Sequence, residues 1–327
     1  MTVQADTTTL SFEQTVPRQL AHRRNLGEVL IADSVRSGDG EFLVAFQVPR
    51  AHLVWADRPA ERHDTFAVAE AARQAAFVVL HRHLEIPIGL PFTMHGFDFE
   101  VDRPELFADD HRNALEGVLH YRIINWDKRS ASQGGLKFAG VAAIGGQAAL
   151  TFSGDVVFLP ADDYQALRDF QRRRRPAASA VVPIPLSPTL VGRSDRRNVV
   201  LGEPHDLTAT GGRFPIVIDR SHPSFFDHEY DHVPGPLCIE AFRQAVIATG
   251  HRLGLLSEQS VTTVVAATAK FEDFGELDAS LECEVEFEAS SADRIRAVVG
   301  LHQFGKSIAA GGLVLLHSDE KAHNIRL

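Results

Sequence analysis

The sequence predicts an α+β protein built from two copies of one domain, each with a long core helix wrapped by an antiparallel sheet. Three observations predict it. A helix pattern that is apolar on most sides runs from Pro234 to Arg252 with its polar residues in one strip, the strip recurs 170 residues earlier, and strand patterns follow the helix both times.

In the second copy Leu237, Cys238, Ile239, Ala241, Phe242, Ala245, Val246, Ile247 and Ala248 surround the helix, as a buried helix requires. At about 100° per residue, Glu240, Arg243, Gln244 and His251 share one face. An acid and a base on a core helix must be paired or hydrogen-bonded at real cost, so the strip marks either an interface network or a site. Its repetition favours a site. Glu70, Ala71, Arg73, Gln74, Ala75, His81 and Arg82 match Glu240, Ala241, Arg243, Gln244, Ala245, His251 and Arg252, each at an offset of 170. The same offset reaches back to Arg50, His52 and Asp57, which match Arg220, His222 and Asp227. Further upstream, Arg23, Arg24 and Asn25 match Arg196, Arg197 and Asn198 at 173, a slip that a hairpin loop would absorb.

In chain order, the first ten residues read as an unstructured lead. Residues 27–49 alternate apolar and polar around Ser37-Gly38-Asp39-Gly40, a hairpin signal. The first core helix follows, and then PFTMHGFDFEV, LEGVLHYRIINWD and a glycine-punctuated run over 136–159 read as strands. Residues 162–175 form a short charged helix, and residues 176–188 are a Pro, Ala and Ser-rich connector. The run Arg172 to Arg175, the strongest local positive patch, is either a dock for an acidic carrier or a solvated part of that linker, and the second reading is favoured. The second copy repeats the order, with a hairpin over 199–219 around Gly211-Gly212, the helix, and strands near 261–274, 277–288 and 294–316. The expected division is 11–165, a linker over 166–192, and 193–327.

With 327 residues and 44% hydrophobic content the chain is long enough for two real cores. A net charge of -10 argues against a nucleic-acid binder, and no apolar run approaches a membrane span. The opening MTVQADTTTL lacks a basic-then-apolar leader, so a cytoplasmic location is expected. Cys238 and Cys283 form no close metal-type pair, and reduced thiols are expected. His228-Glu229-Tyr230-Asp231-His232 matches the HExxH pattern, but Pro223 before it and Pro234-Gly235 after it leave no room for the helix that would present two ligands to one metal. The expectation is a loop lining the entrance to the core helix, with no metal and no other cofactor.

That loop and helix, SHPSFFDHEYDHVPGPLCIEAFRQA, resemble the hotdog-fold hydroxyacyl-carrier-protein dehydratases. In those proteins a Pro-Gly turn and a Glu five residues after the Gly build an acyl-thioester site, a spacing kept here by Gly235 and Glu240. The dehydratase histidine position holds Phe226, which counts against dehydration and leaves only His228 or His222 as stand-ins.

A fuller resemblance is to the A-factor biosynthesis family of actinobacterial γ-butyrolactone synthases, which are tandem hotdog proteins. It rests on Glu70-Ala-Ala-Arg73-Gln74-Ala, on Asp231-His-Val-Pro-Gly-Pro-Leu-Cys-Ile-Glu240-Ala-Phe-Arg243-Gln244-Ala, and on Val48-Pro-Arg50-Ala-His52. It covers nearly everything from Arg23 onward. Pro236 and Cys238 stand where larger apolar residues belong, which bears on acyl-chain preference. The resemblance implies a double hotdog, a pseudo-dimer within one chain. It also implies transfer of a β-ketoacyl group from acyl carrier protein to the hydroxyl of dihydroxyacetone phosphate. The ester then closes to a butenolide phosphate, a precursor of a signalling lactone or furan. A hotdog thioesterase or dehydratase is the alternative.

The residue types suit that chemistry. Gly235 opens a helix whose free N–H groups can polarise a thioester carbonyl. Glu240 is placed to take a proton from the attacking alcohol, with Glu70 its counterpart. Arg243, like Arg73 in the first copy, is shaped either to hold a phosphate or to orient its Glu. Gln244 and Gln74 share those faces. His222 and His52, each eighteen residues before its Glu, are either proton shuttles or loop histidines satisfied by backbone.

Overall fold

The computed structural model describes residues 10–57, 62–177, 181–291 and 293–319. Most of the expected N-terminal lead, the first copy's Arg58-Pro59-Ala60-Glu61 and the chain beyond 319 lie outside these residues.

The first copy opens with the hairpin of β1 (Ile31–Gly38) and β2 (Glu41–Val48), turning through Gly40 at a φ of 66° that glycine adopts without strain. Helix α1 (Thr65–Val78) follows, capped by the Asp64 carboxylate, which accepts from Phe66 N at 3.0 Å. Its Ala-rich sequence buries almost every position and runs on as one π-helical turn, Val79–His83. Strands β3 (Phe92–Val101), β4 (Leu115–Lys128), β5 (Gly134–Ile144) and β6 (Gln147–Phe158) complete the copy. The glycine-punctuated run is thus a hairpin. Within it Gly140 and Gly154 are needed, because a Cβ at either would lie 2.4 Å from the ring of Phe152 or Phe138 on the neighbouring strand.

Helix α2 (Ala161–Arg173) occupies the place of the expected charged helix. The second copy contains β7 (Gly211–Pro215), α3 (Gly235–Arg252), β8 (Ser260–Phe271), β9 (Glu282–Ser290), β10 (Arg294–Gln303) and β11 (Lys306–Asp319). Two expectations change here. The hairpin around Gly211-Gly212 is reduced to β7 plus the isolated bridges Leu201–Ile216 and His205–Arg213, and the apolar run 294–316 is the hairpin β10–β11, turning at Phe304 and Gly305.

All eleven strands form one antiparallel sheet in the order β1-β2-β4-β5-β6-β3-β8-β11-β10-β9-β7. The order reads alike from the centre outward. At that centre β3 pairs with β8, and Asp98 faces Thr268, its own equivalent at the 170-residue offset. The two copies therefore join through equivalent strands, and the sheet's buried residues pack with both long helices in one core. No helix among the described residues is long and apolar enough to cross a membrane.

Upstream of each helix the backbone keeps the offset of 170 without a slip. Short 3-10 turns lie at Leu26–Glu28 and Arg196–Asn198, and His22 and Gly192 both adopt a left-handed conformation just before Arg23 and Arg193. The match at 173 is a correction: Arg196 and Arg197 are exposed, whereas Arg193, the true equivalent of Arg23, is fully buried.

The copies also clasp each other reciprocally. Asp57 accepts from Ser194 N and Asp195 N, each at 3.0 Å, and from Asn198 Nδ2 at 2.7 Å. Its equivalent Asp227 accepts from Arg24 N at 2.6 Å, Asn25 N at 3.0 Å and Asn25 Nδ2 at 2.7 Å. Each aspartate thus holds the turn that carries the other copy's buried arginine.

Candidate active site

Two carboxylates sit at equivalent points on the buried faces of α1 and α3. Glu70 accepts from Arg23 Nη2, from Arg73 through Nε at 2.7 Å and Nη2 at 2.8 Å, and from Gln74 at 2.9 Å. Glu240 accepts from Arg193 Nε at 2.9 Å, with Arg193 Nη2 2.8 Å from its other oxygen, from Arg243 Nη2, and from Gln244 at 2.6 Å. The helix spacing supplied the i, i+3 and i, i+4 partners. Arg23 and Arg193, each forty-seven residues upstream, were not among the expected site residues, although the 170 offset carried past Arg50 would have paired them.

The two clusters differ in one acid. The α1 cap, Asp64, crosses to the second copy and accepts from Arg243 Nη1 at 2.5 Å, and its equivalent position holds Pro234. Among direct pairs of the described residues the α3 cluster therefore balances two guanidiniums against two carboxylates, and the α1 cluster sets two guanidiniums against one. Their protonation follows. Burial pushes the Glu240 carboxyl up to about 7, against the pull of Arg193 and with Asp64 adding to the rise. Burial also raises Glu70, but Arg23 and Arg73 outweigh it and hold that carboxyl at about 2.

Because the folded value of Glu70 lies below the ordinary 4.5, its cluster contributes stability that is fully present above about 4.5 and is lost as pH falls toward about 2. The expected loss is about 3 kcal/mol. Urea unfolding across that pH range should show it in the parent and not in Glu70→Gln.

Between the two helices and β3 and β8 lies a cavity of about 460 Å3. Its walls are apolar, with Phe66, Phe97, Phe99, Ile239 and Phe271 prominent, and Glu70, Arg73 and Glu240 open onto it. Gly235 lines it too. Pro234 leaves the first turn of α3 without a side-chain cap, Pro236 has no N–H, and those of Leu237 and Cys238 both donate to Pro234 O at 3.1 Å. Gly235 N–H donates to no acceptor among the described residues, so the positive end of α3 faces the cavity with a donor to spare.

Other expected site residues stand elsewhere. Gln74 and Gln244 are fully buried ties: each accepts from a backbone N–H, of Leu30 or Val200, and donates to a backbone carbonyl, of Glu28 or Asn198. They do not line the cavity. Neither do His52 and His222, whose Nδ1 atoms accept from Val54 and Trp55 N and from Ser224 and Phe225 N. Their Nε2 atoms reach Glu28 at 3.3 Å and Asn198 Oδ1 at 3.0 Å, and burial holds His222 at about 4, hence neutral. Both histidines close loops through these backbone contacts. Arg243 is likewise outside the cavity lining, spent between Glu240 and Asp64.

The HExxH segment is not helical, and its histidines take separate partners: His228 lies 3.7 Å from Asp227, and His232 lies 2.6 Å from Asp231. Asp231 is instead the anchor of α2, accepting from Tyr164 OH at 2.8 Å and Arg168 Nε at 2.7 Å. Arg172 and Arg175 join it, pairing with Glu276 at 3.4 and 2.7 Å, so half of the expected solvated arginine run pins α2 against the rim of the cavity.

The A-factor biosynthesis hotdog domain model matches residues 5–116 and 175–316. A protein of Streptomyces coelicolor named 2-oxo-3-(phosphooxy)propyl 3-oxoalkanoate synthase is 30% identical over 73% of this chain and 75% of its own length. One of the same name from Streptomyces virginiae is 31% identical over 72% of this chain and 76% of its own. A crystal structure of a candidate thioesterase from Novosphingobium aromaticivorans shares the fold, with a TM-score of 0.50 and 15% identity, covering 86% of this chain and 97% of that one. The architecture is a double hotdog, and with both copies matched the chain belongs to the A-factor biosynthesis hotdog domain family.

Proposed function

We propose that this chain is an acyltransferase that joins a 3-oxoacyl group, delivered as an acyl-carrier-protein thioester, to the hydroxyl of dihydroxyacetone phosphate. The name of its relatives describes that ester, with a phosphooxy-oxopropyl alcohol part and a 3-oxoalkanoate acyl part. The observation that carries the reading is the meeting, in one apolar cavity, of a carboxyl near 7, an uncapped helix N-terminus and an arginine.

Each group has a step. The acyl chain lies along the phenylalanine-lined wall, and the thioester carbonyl points at Gly235 N–H. Glu240, ionised in a useful fraction at neutral pH, takes the alcohol proton as the alkoxide oxygen attacks the carbonyl carbon. The tetrahedral oxyanion is held by the α3 N-terminus, the C–S bond breaks, and the departing sulfur takes the proton back from Glu240. Arg193 and Arg243 keep Glu240 in place through both transfers. Cys238 also lines the cavity, but burial pushes its thiol up to about 12, so it stays neutral and the acyl group passes directly from sulfur to alcohol.

Mass spectrometry of products from a defined 3-oxoacyl carrier-protein thioester tests this. With dihydroxyacetone phosphate present, the expected product is the phosphorylated ester or its cyclised, dehydrated butenolide. Free 3-oxo acid at the same rate with and without the alcohol would overturn the transferase in favour of a thioesterase.

A further inference from the structure

We propose that Arg73 of the first copy, and not its equivalent Arg243 beside the base, holds the phosphate of the alcohol substrate. This assignment rests on the acyl-transfer reading above. Both arginines occupy the same place on equivalent helices, and sequence alone gives them the same two candidate roles. The difference comes from one residue at the head of each helix.

Asp64 reaches from the first copy to Arg243, which then spends Nη1 on Asp64 and Nη2 on Glu240 and is 4% exposed. A phosphate could bind it only by displacing a buried carboxylate. At the equivalent of Asp64 stands Pro234, which carries no acid. Among the described residues Arg73 makes its one ion pair with Glu70, through Nε and Nη2, and lies over the Phe77 ring at 5.2 Å; its Nη1 donates to no group among them, its side chain is 19% exposed, and it lines the cavity. A guanidinium clamped along one edge and open along the other is preorganised for an anion.

The surroundings agree. Glu70 is shared by Arg23 and Arg73, so the cluster keeps one positive charge among its direct pairs. Glu28, the next acid felt by Arg23, is held away by Ser224 Oγ at 2.6 Å and by His52. Tyr230 comes in from the second copy, lines the same cavity, and its hydroxyl donates to no acceptor among the described residues. Arg23 and Arg73 are its strongest cationic neighbours, so the phenol is a second donor within their field. The two halves of the molecule thus divide the chemistry, with α3 activating the hydroxyl and the thioester while α1 anchors the charged end of the alcohol.

The test compares kcat/KM for dihydroxyacetone phosphate and for dihydroxyacetone in the parent, Arg73→Gln, Arg243→Lys and Pro234→Asp. Losing one charge-assisted anchor costs about thirty- to a thousand-fold in the phosphate preference. Arg73→Gln should lose most of the preference, and Arg243→Lys should keep it while turning over more slowly. Pro234→Asp leaves Arg73 in place but supplies the missing acid, and it should also lose the preference. A preference that survives both Arg73→Gln and Pro234→Asp, or that vanishes in Arg243→Lys alone, overturns the assignment.

Calorimetric titration with dihydroxyacetone phosphate reads the same contact without turnover. Binding kept in Arg73→Gln overturns the assignment even where acyl transfer is observed. Binding lost in Arg73→Gln and kept in Arg243→Lys supports it even where the product proves to be free acid, a result that would sink only the transferase.

Discussion

Glu240→Gln is expected to lower kcat by about 10²- to 10⁴-fold, the range over which a positioned general base contributes. Glutamine keeps the size of the side chain and an acceptor for Arg193, but it cannot take the alcohol proton. The parent should show the base directly: kcat/KM rises with pH and levels off above about 7, because burial holds Glu240 protonated below that value. The residual activity of Glu240→Gln should lack that limb. Glu70→Gln makes the contrast. Glu70 is held at about 2 by Arg23 and Arg73 and stays ionised across the working range, so in the proposed reaction it exchanges no proton and its part is to position Arg73. Its loss should appear mainly in KM for dihydroxyacetone phosphate. Near-parent kcat in a folded Glu240→Gln protein would remove Glu240 from the chemistry.

Much of this is legible in the sequence because the signals are local and occur twice. The apolar turns of α1 and α3, the Glu, Arg and Gln on one face, the Asp64 cap and the Pro-Gly opening of α3 all depend on residues within two turns of each other. The three-residue slip misleads because identity favours Arg196-Arg197-Asn198, whereas the backbone pairs Arg23 with Arg193. Asp64 illustrates the opposite limit. Its capping role is local, but its bond to Arg243 spans 179 residues and exists only when the two copies lie side by side. The same holds for Arg172 and Arg175, whose partner Glu276 lies about a hundred residues away, so two members of a charge run that reads as solvated are paired while Arg173 and Arg174 stay exposed. His52 and His222 could be placed only by the loops whose backbone N–H groups they accept.

The buried arginine that local pattern could not reveal should be the most sensitive to removal. Arg193 is fully buried, donates to Glu240, and also donates through Nη1 to Val54 O at 2.6 Å and Asp57 O at 2.9 Å in the first copy. Arg193→Met leaves Glu240 with one guanidinium that Asp64 also claims, and it strips a donor from two carbonyls at the junction of the copies. Removing one partner of a buried pair costs about 3–5 kcal/mol, whereas Arg196→Ala, at the exposed position that sequence identity favoured, should change stability by no more than about 0.5 kcal/mol. The pH dependence separates lost charge from lost packing. Glu240 already holds its proton more tightly folded than its ordinary value of 4.5, and without Arg193 it should hold it more tightly still. Below about 4.5 the carboxyl is neutral in both states and the charge penalty is absent; as pH rises above that value the unfolded chain ionises first, so the penalty grows. Urea unfolding should therefore show Arg193→Met much closer to the parent at pH 5 than at pH 8. The double variant Arg193→Met with Glu240→Met should recover stability at pH 8 while remaining inactive, since an apolar pair of similar volume is often neutral or better than a buried ion pair. An equal loss at both pH values, with no recovery in the double variant, would assign the role of Arg193 to its two carbonyl contacts and not to the charge of Glu240.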